Sequence, residues 1–357
     1  MKTSSLKKSI LAGLAFGGLF INRPLSAQTT VFFTGGNASQ SVLYDRVTNI
    51  LTGGITSATI SPTNSVVRTF VGNITGGGAL NPVTIHFSQI GAVGGFQDVA
   101  NQSTEVTATG ANLIPNVAVS STSPEAVGID PTPFTQVKTL IVPFVFLKNT
   151  NKSPELAGVT NLTQRQAYYL EGAAGTLPTS FFGGSSTNPI YLVARNTAAA
   201  VRTEIDANIY YSSPTIASWT TNAAGQVVPD ANGGQSSGGN VVARLNYITN
   251  AIGTVAAQDI PAANYATIAY EGVPFSITNV EYGSYPIWGY ERWAYPKTGQ
   301  PGAPSANQLQ VINSLLSAVT NVTFQTTSPL FNNKFARLSL MQVERASDGG
   351  PITSTIY

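Results

Sequence analysis

The sequence predicts an α/β fold in two domains or lobes, built on a mainly parallel sheet. Apolar, β-branched runs alternate with amphipathic runs along the chain, the pattern of strand–helix repeats. The 357 residues are ample for more than one core. Small residues also recur where a strand gives way to a helix.

The elements follow in order. "TTVFFTGG" (29–36) reads as a strand, and "ASQSVLYDRVTNIL" (38–51) as a helix apolar at Val42, Leu43, Val47, Ile50 and Leu51. "PVTIHFSQIG" (82–91) is a second strand, followed by a Gly-rich turn and a helix near "FQDVANQ". "VKTLIVPFVFLKN" (137–149) is a long apolar run. Its Pro143 argues against a central sheet position and for a crossing point between lobes. "TQRQAYYLEGA" (163–173) reads as a helix, "PIYLVARN" (189–196) as a strand and "AAVRTEIDANIYY" (199–211) as the next helix. A turn-rich loop (220–240) precedes the helical "VVARLNYITN". In "SANQLQVINSLLSAV" (305–319), Leu309, Ile312, Leu316 and Val319 share a face, and Ser305 is placed to cap the helix. No internal repeat is visible, and the Gly/Ser-rich pieces are too short to link independent domains.

Charged residues make up only 10% of the chain, beside 34 Gly and 21 Pro, a mixture suited to a secreted, loop-rich protein. Residues 1–27 carry a basic head (Lys2, Lys7, Lys8), an apolar run from Ile10 to Ile21 and a small-residue end at Ser26-Ala27. This is the pattern of a secretory signal cleaved after Ala27, with too short an apolar run for a membrane anchor. The expected location is periplasmic or extracellular. Removing that segment leaves 14 basic against 16 acidic residues, a net charge of −2. No nucleic-acid partner follows from such a balance. Without cysteine the chain has no disulfide framework and no lipoprotein attachment site.

Catalytic signatures are sparse. The single histidine, His86, falls on a strand face, and one His without Cys makes a zinc site improbable. No phosphate loop of the Walker type is present, and no cofactor is expected. Gly234-Gln235-Ser236-Ser237-Gly238 matches G-x-S-x-G, but that motif needs a strand before it and a histidine partner. A loop feeding the following helix is the preferred reading, so no enzyme is predicted; a hydrolase using Ser236 is the reading from another class. The aromatic stretch "YGSYPIWGYERWAYP" (282–296) reads either as a stacking platform or as an apolar strand between lobes. Packing of strand aromatics favours the strand.

Three junctions, "TGGNAS" (34–39), "IGAVGG" (90–95) and "RNTAAAV" (195–201), put small residues where helices begin. Converging helix N-termini can hold an oxyanion through backbone N–H groups.

With these pieces in place, the chain resembles the phosphate-binding proteins of bacterial ABC transporters. "TGGNASQSVLYDRV" is similar to the family's opening strand–helix turn, and "IHFSQIGAVGGFQDV" to the segment whose turn supplies a serine. "NLTQRQAYYLEGAAG" with "NPIYLVARNTAAAVRTEI" resembles the helix and the strand ending in arginine. "SSGGNVVARLNYITNAIGTVAAQDI" and "VEYGSYPIWGYERWAYP" resemble the Gly-rich helix start and the return across the hinge. The resemblance spans nearly all of the mature chain. It implies a two-lobed type II periplasmic-binding-protein-like fold, with lobes of residues 28–143 plus 283–357 and 144–282, and an ABC permease as partner.

The resemblance also nominates ligand positions. Arg195 keeps the family's arginine. The Ser-Gly-Thr donors fall on Ala199, Ala200 and Val201, the turn serine on Ala92, and the acidic residue on Thr122. The first loop offers Ala38 and Ser39, and a small shift of the alignment at Thr122 nominates Ser120 and Ser121 in its place. A hydrogen bond to a charged group contributes about 1.5–3 kcal/mol, so losing three hydroxyls costs on the order of 5 kcal/mol, or ~10³- to 10⁴-fold in affinity. The expectation is a secreted solute-binding-like protein that does not hold phosphate tightly, its ligand a weak oxyanion or a small polar solute. The alternative is an extracellular structural or interaction protein that keeps the fold without a small-molecule ligand.

Overall fold

A computed structural model describes residues 28–355. The export segment read in residues 1–27 lies outside the described residues. The main sheet has 11 strands. In chain order they are β1 (Thr29–Gly35), β2 (Ile55–Ile60), β3 (Val67–Gly72), β4 (Val83–Ser88), β5 (Val117–Ser120) and β6 (Phe134–Asn149). Then come β7 (Asn161–Leu162), β8 (Tyr191–Val193), β9 (Ala251–Ala256), β10 (Tyr265–Tyr270) and β11 (Trp288–Pro296). The strands run β8-β9-β6-β11-β5-β1-β4-β3-β2, with β10 pairing β6 and β7 off this path. Helices α1 (Gln40–Ile50), α2 (Ala92–Asn101), α3 (Gln164–Ala173), α4 (Ala200–Ile209), α5 (Gly238–Leu245) and α6 (Ala306–Val319) are the longer ones.

The strand–helix alternation accounts for this order, but the sheet is mixed rather than mainly parallel. β1 runs parallel to β4 and β5, β8 to β9 and β7 to β10; six other pairings are antiparallel. The antiparallel share comes from the β2–β3 hairpin, whose polar, largely exposed outer strand gives little apolar signal. It comes also from two long strands, β6 and β11, that traverse the molecule.

Pro143 lies within β6, in the middle of the sheet, against the expectation from its missing N–H. Residues 134–143 of β6 pair with β11, and residues 144–148 pair with β9. On the flank opposite β11, Ile141 exchanges bonds with Ala336, and β9 begins to pair only at Phe144. The absent donor therefore falls at the changeover between two partners, where no ladder bond is interrupted.

The aromatic stretch is the interior strand β11: Trp288 and Trp293 are fully buried, and Trp293 packs edge-on against Phe33 of β1. Helix starts are fixed locally. Ser305 and Gln308 form a capping box on α6, Thr163 and Gln166 another on α3, and Ser237 caps α5. On α6 the buried face is Val311, Ile312, Leu315 and Val319, with Leu309 and Leu316 at its margin. Among the described residues, no helix is long and apolar enough to cross a membrane, and no His/Cys/Asp/Glu cluster is arranged to hold a metal ion.

Candidate ligand cleft

The carboxyl ends of β1, β4, β8 and β9 open toward one cavity of about 320 Å³. Ligands of open α/β sheets bind at such strand ends. The loop before α1 contributes Ala38, the first residue of α2 is Ala92, and the start of α4 contributes its N-cap Ala199 with Ala200 and Val201. Arg195, at the end of β8, completes that wall. With Ser121, seven of the ten nominated residues thus share one cavity. The other three, Ser39, Ser120 and Thr122, are buried.

Most of the retained donors are engaged by the protein itself. Arg195 is only 6% exposed, and its Nε and Nη2 donate to the carbonyls of Gln235 and Ser236 at 3.1 and 3.0 Å. Burial pulls its guanidinium below the usual range, against the pull of Asp259. Ser39 and Ser121 both donate their hydroxyls to the carboxyl of Glu291, Ser121 at 2.6 Å. Thr122 donates to Asp348 at 2.7 Å, and Ser120 accepts from the Thr122 amide. Even a helix N-terminus is occupied: the Val93 amide of α2 donates to the Ala198 carbonyl across the cleft at 3.2 Å.

Two carboxyls give the site its electrostatic character. Glu291 is fully buried, and burial pushes it up to about 7 although Ser121, Ser39 and Arg292 pull down. Asp259, just past β9, lines the cavity with Arg195. Its carboxylate lies on the first turn of α5, where a Cβ on Gly238 would overlap it. Burial pushes Asp259 up to about 6 against the pull of Arg195. Neither acid stood out in the sequence. Asp259 carried a usable signal, an acid placed just after an apolar strand, whereas Glu291 sits inside one.

Ser236 also lines the cavity, where its Oγ accepts from the Asn240 amide group at 3.1 Å. His86 is far from any nucleophile role: it is buried in β4 and bonded through Nδ1 to Thr69 at 2.7 Å. Burial lowers its pKa to about 4. His86 is therefore not placed to serve as a base for Ser236.

No family model and no curated protein sequence matches the chain. Solved structures do. A Clostridium perfringens protein, classed as a phosphate ABC transporter substrate-binding protein and solved with bound phosphate, superposes with a TM-score of 0.58 at 14% identity, over 86% of this chain and 99% of that one. An ABC-type phosphate transport receptor from Vibrio cholerae gives 0.54 at 12% identity, over 84% and 98%. The chain therefore has the two-lobed, type II periplasmic-binding-protein-like fold, and its likeness to phosphate ABC transporter substrate-binding proteins is one of structure at low sequence identity.

Proposed function

We propose that this is an exported, non-catalytic solute-binding-like protein whose cleft is not built to hold phosphate tightly. The observation that carries the reading is that Arg195 Nε and Nη2 and the hydroxyls of Ser39, Ser121 and Thr122 all donate to internal acceptors. An oxyanion entering the cleft would have to displace those acceptors while facing methyl groups at Ala92, Ala199 and Ala200. The ligand is then a weakly held oxyanion or a small polar solute, captured by closure of lobes 28–143 plus 283–357 and 144–282 about hinges near Pro143 and Gly283. Delivery to an ABC permease, from the periplasm or cell exterior, accompanies that role.

The second reading, a structural or interaction protein without a ligand, draws support from the Val93–Ala198 bond, which joins the cleft walls by backbone alone. The remaining cavity, open enough for a small solute, favours the first. Thermal stability measured against phosphate, sulfate, molybdate and small organic acids separates the outcomes. Strong stabilisation by phosphate that disappears in Arg195→Ala overturns the claim of divergence.

A further inference from the structure

The retained arginine raises a question that the lost hydroxyls do not answer. A buried guanidinium at the mouth of several helix N-termini still attracts anions. In this cleft its field is met by a carboxylate of the chain. Asp259 and Arg195 line the same cavity without forming an ion pair among the described residues. The Asp259 carboxylate is seated on Gly238, at the positive end of α5, so close that only a glycine fits beneath it. That place and that charge are those of an anionic guest.

We propose that Asp259 is the specificity-determining residue of the cleft: a built-in anion, set between Arg195 and the first turn of α5, that excludes free oxyanions. This rests on the reading of the cleft as a solute site closed to tightly bound phosphate, and names the group that closes it. A second negative charge brought into the same small cavity is opposed by like-charge repulsion, and the helix end it would use is already covered. Asp259 thereby converts a cationic pocket into one of balanced charge, suited to solutes without net negative charge.

The test uses sulfate, whose charge does not change near neutral pH, with calorimetric titration of the mature wild-type chain, Asp259→Asn, and Asp259→Asn with Arg195→Gln. At pH 8 the wild type is expected to show no saturable sulfate binding. Asp259→Asn should bind at least about tenfold more tightly, and the double variant should lose the gain. A folded Asp259→Asn that remains indifferent to sulfate overturns the inference while leaving the proposed function intact. Tight phosphate binding by the wild type, abolished by Arg195→Gln, overturns the proposed function itself. The unaltered protein provides a second arm should the variant fail to fold. Asp259 is pushed up to about 6, so wild-type sulfate affinity should rise between pH 8 and pH 5 as the carboxyl takes a proton. Arg195, whose guanidinium burial pulls down against the pull of Asp259, is the charged group that acts on it. Glu291, behind Ser39 and Ser121, titrates in the same range. The pH response that persists in Asp259→Asn belongs to Glu291, and an identical response in both proteins counts against Asp259. A wild type with no pH response overturns the inference as well.

Discussion

The amide of Val93, in the first turn of α2, donates to the carbonyl of Ala198, in the loop that leads into α4, at 3.2 Å. Gln258 reaches across the same cleft, its Nε2 donating to the Asn37 carbonyl at 3.0 Å. These bonds join the two walls of the cleft directly. The solute-free protein should accordingly be compact. The lobes must part to admit a solute and close again on it, and small-angle scattering of the apo protein is expected to fit the present structure. An apo radius well above that of the present structure would contradict it. Gln258→Ala, removing one bond, should lower stability by about 0.5–1.5 kcal/mol.

Glu291 predicts an unusual pH dependence. Its carboxyl is raised from the ordinary range to about 7, chiefly by burial. A raised acid binds its proton more tightly in the folded than in the unfolded chain, so the associated stability is complete below the unfolded value and lost as pH rises through 7. A shift of this size corresponds to ~3 kcal/mol. Melting temperature should therefore fall between pH 5 and pH 8, and Glu291→Gln should flatten that slope by removing the titration. An unchanged slope in the variant would show that other groups carry it. Glu171, fully buried on α3 and raised to about 8, acts in the same direction, as do Glu204, Glu105, Asp206 and Asp259, all raised by burial, and these set what remains.

The sequence resolved the parts governed by local rules. Capping boxes, amphipathic faces and the small-residue junctions lie within a few residues of one another, so Ser305, α6 and the alanines before α4 could be read directly. What escaped depends on contacts distant along the chain. Ser39 meets Glu291 across 252 positions, and Thr122 meets Asp348 across 226. In a strand of aromatics Glu291 has no periodic signature, and only the fold reveals that it takes two serine hydroxyls. The mixed sheet escaped for a related reason: hydrophobic runs indicate strands but not the direction in which each meets its neighbour.

Ser236 should be inert. Its hydroxyl accepts from Asn240, and His86 is bonded to Thr69 inside the sheet. A serine-reactive phosphonate is expected to leave Ser236 unlabelled, as read by mass spectrometry. Labelling that Ser236→Ala prevents would instead establish a nucleophile and require a catalytic role.

Two adjacent glycines of α2 should respond with opposite sign. A Cβ on Gly95 would overlap the Cα of Gly35 and lie 2.8 Å from its amide nitrogen, because α2 packs directly on the end of β1. Gly35 cannot yield easily: its φ of +127 and its ladder pairing with Val119 fix it in place. Gly95→Ala must then push α2 outward, at a cost of about 1–3 kcal/mol. The movement would also draw Val93 from Ala198 and loosen the cleft wall. Gly94, one residue earlier, meets nothing within 4 Å. Gly94→Ala there only improves helix propensity and should stabilise by about 0.5–1 kcal/mol. Denaturant titration of the two variants decides the matter. Equal effects would mean that α2 does not lie on β1 as closely as this fold requires.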